Sequence, residues 1–166
     1  MENRVVLLLG GNLDDRLKFL KDAENLIIQQ LGSFVCASSI YESEPWGFED
    51  EVPPFLNQVI IISTASTPLQ VLQKTQEIER KLGRKKVITA HYMSRLIDID
   101  ILFFNDECIS FTTLHIPHIE IANRRFVLVP LNEIISDYMH PVINKKISEL
   151  LSECEDTGSV ALYVTN

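Results

Sequence analysis

Asp98 and Asp100 are the residues whose types and spacing bear most directly on chemistry, within Arg95-Leu96-Ile97-Asp98-Ile99-Asp100-Ile101-Leu102-Phe103-Phe104. From Ile97 to Phe103 the β-branched residues and period-two alternation predict a strand. Ile97, Ile99, Ile101 and Phe103 then share one face and the two acids the other, with acid Cα atoms about 6.5–7 Å apart at the usual strand rise. Adjacent carboxylates repel, and burying them unpaired is costly. Two arrangements relieve that cost: a solvent-facing side of an edge strand, or a hard divalent cation such as magnesium, which prefers oxygen ligands.

The surrounding charge bears on both readings. The chain carries a formal −8 at pH 7, which argues against a general nucleic-acid binder. Lys and Arg are absent from Asp22 to Gln73, after which Arg80, Lys81, Arg84, Lys85, Lys86 and Arg95 crowd into one acid-free window. A solvated helix end could carry such a run. A basic loop leading into paired carboxylates also matches a magnesium-bound polyphosphate, with cations on phosphate oxygens and acids on the metal.

These groups need a frame. Val5 to Leu9 reads as a central strand buried on both faces, ended by Gly10-Gly11. Asn12 is the expected helix N-cap, with Leu13, Leu17, Leu20, Ile27 and Leu31 forming the helical stripe. A second strand is expected from Ser33 to Tyr41 and a third from Phe55 to Thr64, which places Asn57 among apolar residues. A buried asparagine needs partners, and its amide offers a donor beside an acceptor, matching the edge of a guanine-like heterocycle. Between these strands the loop Glu42 to Pro54 holds three prolines and the only tryptophan, Trp46, as a binding loop or lid would. Ser66-Thr67-Pro68 opens a second helix on which Gln76 and Glu79 lie one turn apart, ahead of Gly83 and the basic loop.

Strand, helix, strand, strand, helix, strand predicts an α+β fold, the ferredoxin-like βαββαβ sandwich with an antiparallel sheet, helices on one face and C-terminal additions. The other face is left for ligand. At 166 residues the chain is expected to form a single domain, 1–166. No apolar run is long enough for a membrane span, and three scattered cysteines suggest neither a disulfide framework nor a zinc site, so a cytoplasmic protein is expected.

Several of these residues together resemble the 6-hydroxymethyl-7,8-dihydropterin pyrophosphokinase family of folate biosynthesis. They are Gly10-Gly11-Asn12-Leu13, Tyr41 to Gly47, Phe55-Leu56-Asn57, Gln76 with Glu79, Leu82-Gly83-Arg84, Arg95 with Asp98-Ile99-Asp100-Ile101-Leu102, Ile116-Pro117-His118, and Asn123-Arg124 with Phe126. The resemblance implies a diphosphotransferase that moves pyrophosphate from ATP to the hydroxymethyl oxygen of a reduced pterin and releases AMP. It implies two magnesium ions on Asp98 and Asp100, with Arg84, Arg95, Asp98 and Asp100 carrying catalysis. ATP would meet Gln76, Glu79, Arg84, Lys86, His91, Arg95, Ile101, His118 and Arg124. The pterin would meet Ser43, Glu44, Trp46, Phe55, Asn57, Tyr92, Asp98 and Phe126. The partners implied are these two small molecules, with neither nucleic acid nor membrane, and the enzyme is expected to be a monomer.

The pattern also departs from the family. His91-Tyr92-Met93-Ser94-Arg95 stands where Arg-Trp-Gly-Pro-Arg is common, so Tyr92 would serve as the aromatic lid and His91 would replace an arginine with a partly charged group. Gly11, Glu44, Phe55 and Arg125 stand where Ser, Pro, Tyr and Gly are frequent. The rival readings are a ferredoxin-like RNA-binding module, which lacks its aromatic motif and basic sheet face here, and a small-molecule sensor, which would not need the basic loop or the paired acids.

Overall fold

The computed structural model describes residues 1–85, 89 and 91–165. Its main sheet is antiparallel throughout. Strand β1 (Asn3–Gly11) lies between β4 (Phe55–Thr64) and β5 (Asp98–Phe104). The outer side of β4 pairs with β2 (Ser33–Ala37) at one end and with β3 (Tyr41–Ser43) at the other. The expected second strand is thus two, because Ser38 leaves the ladder and its hydroxyl accepts from Val59 N at 3.0 Å. Gly10 and Gly11 do not end β1 but continue its pairing.

Alternation along β1 divides the interior. Val5, Leu7 and Leu9 join Ile60, Ile62, Ile99 and Ile101 against α1 (Arg16–Gln30) and α2 (Pro68–Lys81), which contribute Leu20, Ala23, Ile27, Val71 and Ile78. Val6, Leu8, Val59 and Ile61 face α3 (Arg125–Ile135) and α4 (Ile147–Glu153), which contribute Leu128, Leu131, Ile147 and Leu150. Each fully buried Leu or Ile contributes roughly 1.5–3 kcal/mol, so neither layer is incidental. Helices therefore cover both faces, whereas the sequence predicts one. The second face opens into a cavity near Gly10, Asn57, Asp98 and Asp100, where α3 begins.

Two local details place the site. Leu102 is skipped in the pairing of β1 with β5, so Phe103 turns away from Ile99 and Ile101 and packs on the α3 side beside Leu102, correcting the strict alternation. The cap of α1 is Asp15, which accepts from Lys18 N at 3.1 Å, rather than Asn12. For α2 the expected start holds: Thr67 and Gln70 form a reciprocal capping box ahead of Pro68. Among the described residues no helix is long and apolar enough to cross a membrane.

Candidate active site

A cavity of about 190 Å³ opens where β1, β4 and β5 end beneath the start of α3. Gly10 is paired with Asn57 on one side and Asp98 on the other, so the amide and the acid lie two strands apart, about 10 Å at ordinary spacing. Leu8 likewise separates Val59 from Asp100. A Cβ on Gly10 would sit 3.2 Å from Asn57 Oδ1, which is tight for the amide.

Asn57 is 2% exposed, and its Nδ2 donates to the hydroxyl of Ser43 at 2.7 Å. That bond fixes which way the amide points and satisfies the buried serine, itself 3% exposed. Around it stand Phe55, Phe126, Trp46, Tyr92 and, unforeseen from sequence, Phe48 and Met93. Phe48 packs on Phe55 at 5.7 Å between ring centroids and on Tyr92 at 6.3 Å. Trp46 meets Tyr92 edge-on at 5.5 Å. Gly47, with φ +75, makes that approach possible, since a Cβ there would lie 2.7 Å from the tyrosine ring. The guanidinium of Arg124 lies 4.6 Å from the Trp46 ring centre and donates to Tyr92 Oη at 3.2 Å, while its buried Nε has no partner among the described residues. This end is mainly aromatic, with Arg124 and Glu44 as charged residues in its wall.

The other end is crowded with charge. Arg84 contacts Asp98 at 2.7 Å and Glu79 at 2.5 Å, and Arg95 contacts Asp98 at 2.8 Å. Glu79, 5% exposed on α2, also accepts from Ile99 N at 2.7 Å, which ties the helix to β5. Withdrawal from water and then the charge of Asp98 push Glu79 up to about 7. The same two causes push Asp100 up to about 8. Asp98 takes both arginines, and among the described residues none pairs with Asp100. His118 Nδ1 accepts from Glu120 N at 3.2 Å, and burial holds its pKa below the ordinary value, leaving a neutral ring with its hydrogen on Nε2.

The cavity wall includes every residue expected on the pterin side, Ser43, Glu44, Trp46, Phe55, Asn57, Tyr92, Asp98 and Phe126, together with Asp100, Arg95, His118 and Arg124. Arg84 and Glu79 adjoin it through Asp98 and Ile99. Beyond Arg84 and Glu79, three further described residues assigned to ATP do not line it. Gln76 and His91 are exposed, and Ile101 is buried in the α1–α2 core on the opposite face, because it shares the side of β5 with Ile99. What Ile101 can offer a ligand is backbone. Lys86 lies outside the described residues.

Asn12 plays a larger part than its predicted capping role. At 2% exposed, it donates from Nδ2 to Pro53 O and Ser94 Oγ, each at 3.0 Å, and its Oδ1 accepts from Arg95 N at 2.8 Å. It therefore binds loop 42–54 and the basic loop to the end of β1. Gly11 lets this happen, since a Cβ there would lie 2.3 Å from Leu96 O. The sequence signal was present in Gly10-Gly11-Asn12, but the polar partners come from loops more than forty residues away.

The family model for 7,8-dihydro-6-hydroxymethylpterin-pyrophosphokinase matches residues 6–136. The chain belongs to this family. Its relatives include the 2-amino-4-hydroxy-6-hydroxymethyldihydropteridine pyrophosphokinase of Bacillus subtilis, 41% identical over 81% of this chain and 79% of that protein. The Aquifex aeolicus protein of the same name is 36% identical over 90% of this chain and 91% of its own length. The folic acid synthesis protein fol1 of Pneumocystis carinii is 39% identical over 92% of this chain, but the chain spans only 20% of that longer protein. A crystal structure of Plasmodium falciparum HPPK-DHPS has the same fold over 92% of this chain and 43% of that one, with TM-score 0.75 at 21% identity. The family's fold of helices on an antiparallel sheet is the one described above.

Proposed function

We propose that the two ends of this cavity divide the substrates of the family reaction between them. As a member of that family the chain is a transferase of folate synthesis, moving pyrophosphate from ATP to the hydroxymethyl group of 6-hydroxymethyl-7,8-dihydropterin. The observation that carries the assignment is the row Asn57, Gly10, Asp98, which sets a neutral recognition group and an acidic strand a short span apart.

In this reading the pterin's amino and oxo groups meet Asn57 and the backbone around Ser43, Glu44 and Trp46. Phe55 and Phe126 hold the ring's faces and Tyr92 covers it. The hydroxymethyl arm then points along β1 toward Asp98. Arg84, Arg95 and the Nε2 hydrogen of neutral His118 hold phosphate oxygens, while Gln76, Glu79 and the backbone at Ile101 lie toward the nucleotide. Arg124, whose Nε is unsatisfied, stands between the two substrates.

The acids fit magnesium. Among the described residues there is no cluster of three or more metal-binding side chains, and magnesium characteristically takes one or two carboxylates plus substrate phosphates and water. Asp98 and Asp100 would hold two such ions, which would supply neutralisation of the triphosphate. Arg84 and Arg95 then exchange Asp98 for phosphate oxygens, so their ion pairs act as a resting state for both. With the hydroxyl in line with the β-phosphorus, positioning and charge supply most of the rate and no covalent intermediate is required. Loop 42–54, with Tyr92 and Met93 against it, keeps water from the reacting phosphate.

The sheet order supports a ferredoxin-like βαββαβ frame in which β2 and β3 share one position, with α3, α4 and the terminal strand as additions. We assign residues 1–166 to one pyrophosphokinase domain, acting as a cytoplasmic monomer. The test is AMP release from ATP, measured with and without the reduced pterin and with a chelator. AMP is expected only when ATP, pterin and a divalent cation are all present; AMP formed at the same rate without pterin would overturn the assignment.

A further inference from the structure

Residues 154–163 lie beyond the stretch the family model matches, yet they grip both walls of the aromatic end. Strand β6 (Val160–Leu162) pairs with β3 and sets Val160 opposite Ser43, the residue that holds the Asn57 amide. Just before it, Ser159 O accepts from Glu44 N at 3.1 Å and Ser159 N donates to Glu44 Oε2 at 3.2 Å. Just after it, Tyr163 N donates to Ile40 O, and the Tyr163 ring sits 5.6 Å below the guanidinium of Arg16. Arg16 in turn pairs with Glu42 at 2.7 Å and donates to Pro54 O at 2.9 Å, the two ends of loop 42–54.

The opposite wall is held by Asp156. Helix α3 begins without a side-chain cap from Arg124. Asp156 Oδ2 supplies one from 31 positions away, accepting from Arg125 N at 2.9 Å, while its Oδ1 accepts from Gly158 N at 2.9 Å. A carboxylate there satisfies a free N–H and suits the positive end of the helix. The turn so fixed carries Arg124 and Phe126, both in the cavity wall. Asp156 and Glu155 also line a second cleft behind Trp46.

We propose that this C-terminal segment is a strap that positions the pterin end of the cavity, with Asp156 as the positioning residue. Its recorded bonds involve neither Asp98, Asp100, Arg84 nor Arg95, and it reaches the triphosphate side through Arg124 alone, so its effect falls mainly on the pterin. The inference rests on assigning the aromatic end to the pterin.

The experiment titrates the hydroxymethyl dihydropterin in the presence of a non-hydrolysable ATP analogue, and the analogue alone, into Asp156→Ala, Asp156→Asn and Asn57→Ala. Asp156→Ala is expected to weaken pterin binding about fivefold to tenfold, as a lost cap would, with the analogue's affinity changed by less than about twofold. Asp156→Asn keeps an oxygen acceptor and is expected to restore most of the loss. Pterin affinity unchanged in Asp156→Ala while Asn57→Ala weakens it overturns the strap alone. Parallel weakening of pterin and analogue in Asp156→Ala also overturns it. Unchanged pterin affinity in Asn57→Ala overturns the placement of the pterin and the strap with it.

Discussion

Asn57 and Asp98 flank the same glycine, yet their surroundings differ in kind. Asn57 has one short bond to Ser43 and aromatic rings around it. Asp98 pairs with two arginines, one of them shared with Glu79; Glu79 and Asp100 stand close by, and the pKa values of both are raised. The amide end is complete before anything binds, because its hydrogen bond and packing need no counterion. The acid end is held together by internal pairing, which the proposed function has substrate replace. One small cavity thus joins a preformed socket to a cluster of charges that has to be rearranged.

The largest break in that comparison comes from the acids. Asp98→Ala or Asp100→Ala is expected to lower turnover roughly 10²-fold or more, the scale of a lost metal contact, measured by AMP release at saturating substrates. A near-normal rate in both variants would remove their role. Next is Asn57→Ala, which leaves the Ser43 hydroxyl without its donor. Calorimetry should show pterin affinity reduced about tenfold or more with ATP affinity little changed, and equal losses for the two ligands would dissolve the distinction between the ends.

The smallest effect is the pH response of the ligand-free protein in chelator. Glu79 and Asp100 bind their protons more tightly folded than unfolded, where carboxylates titrate near pH 4. Stability from these two is therefore greatest below the unfolded value and declines as pH rises toward about 7 and 8. The melting midpoint should rise between pH 8.5 and pH 6 by about 2–4 °C relative to Asp100→Asn, whose profile should be flatter. A steeper profile in Asp100→Asn would contradict the sign.

What was legible in the sequence follows from range. The strands around Leu7, Ile60 and Ile99, both helices around Leu20 and Ile78, and the acid pair are set by local periodicity, so they could be read directly, whereas the split of Ser33 to Tyr41 into two strands could not. The coverage of the second face could not, because α3 and α4 follow the βαββαβ pattern and nothing in their stripes says which side they take. Phe48 and Asn12 were in plain view, but their partners, Tyr92 and Ser94, arrive from another loop. Asp156 carries no local signal at all as a cap for Arg125, since caps are sought within three residues of a helix and not thirty-one.

The extra residue at Leu102 has a wider consequence. Strand β5 is seven residues long, and it must show carboxylates to the cavity at one end and a phenylalanine to the same side at the other, with a second phenylalanine behind. A regular pleat would put Phe104 on the side of the acids and Phe103 behind; the irregularity reverses the two, as one added or lost position exchanges the two sides of everything beyond it. The irregularity acts as a phase adjuster, letting the reactive half and the structural half of one short segment keep separate timing. Drift in the packing of the far half can then proceed without rotating the acids out of place.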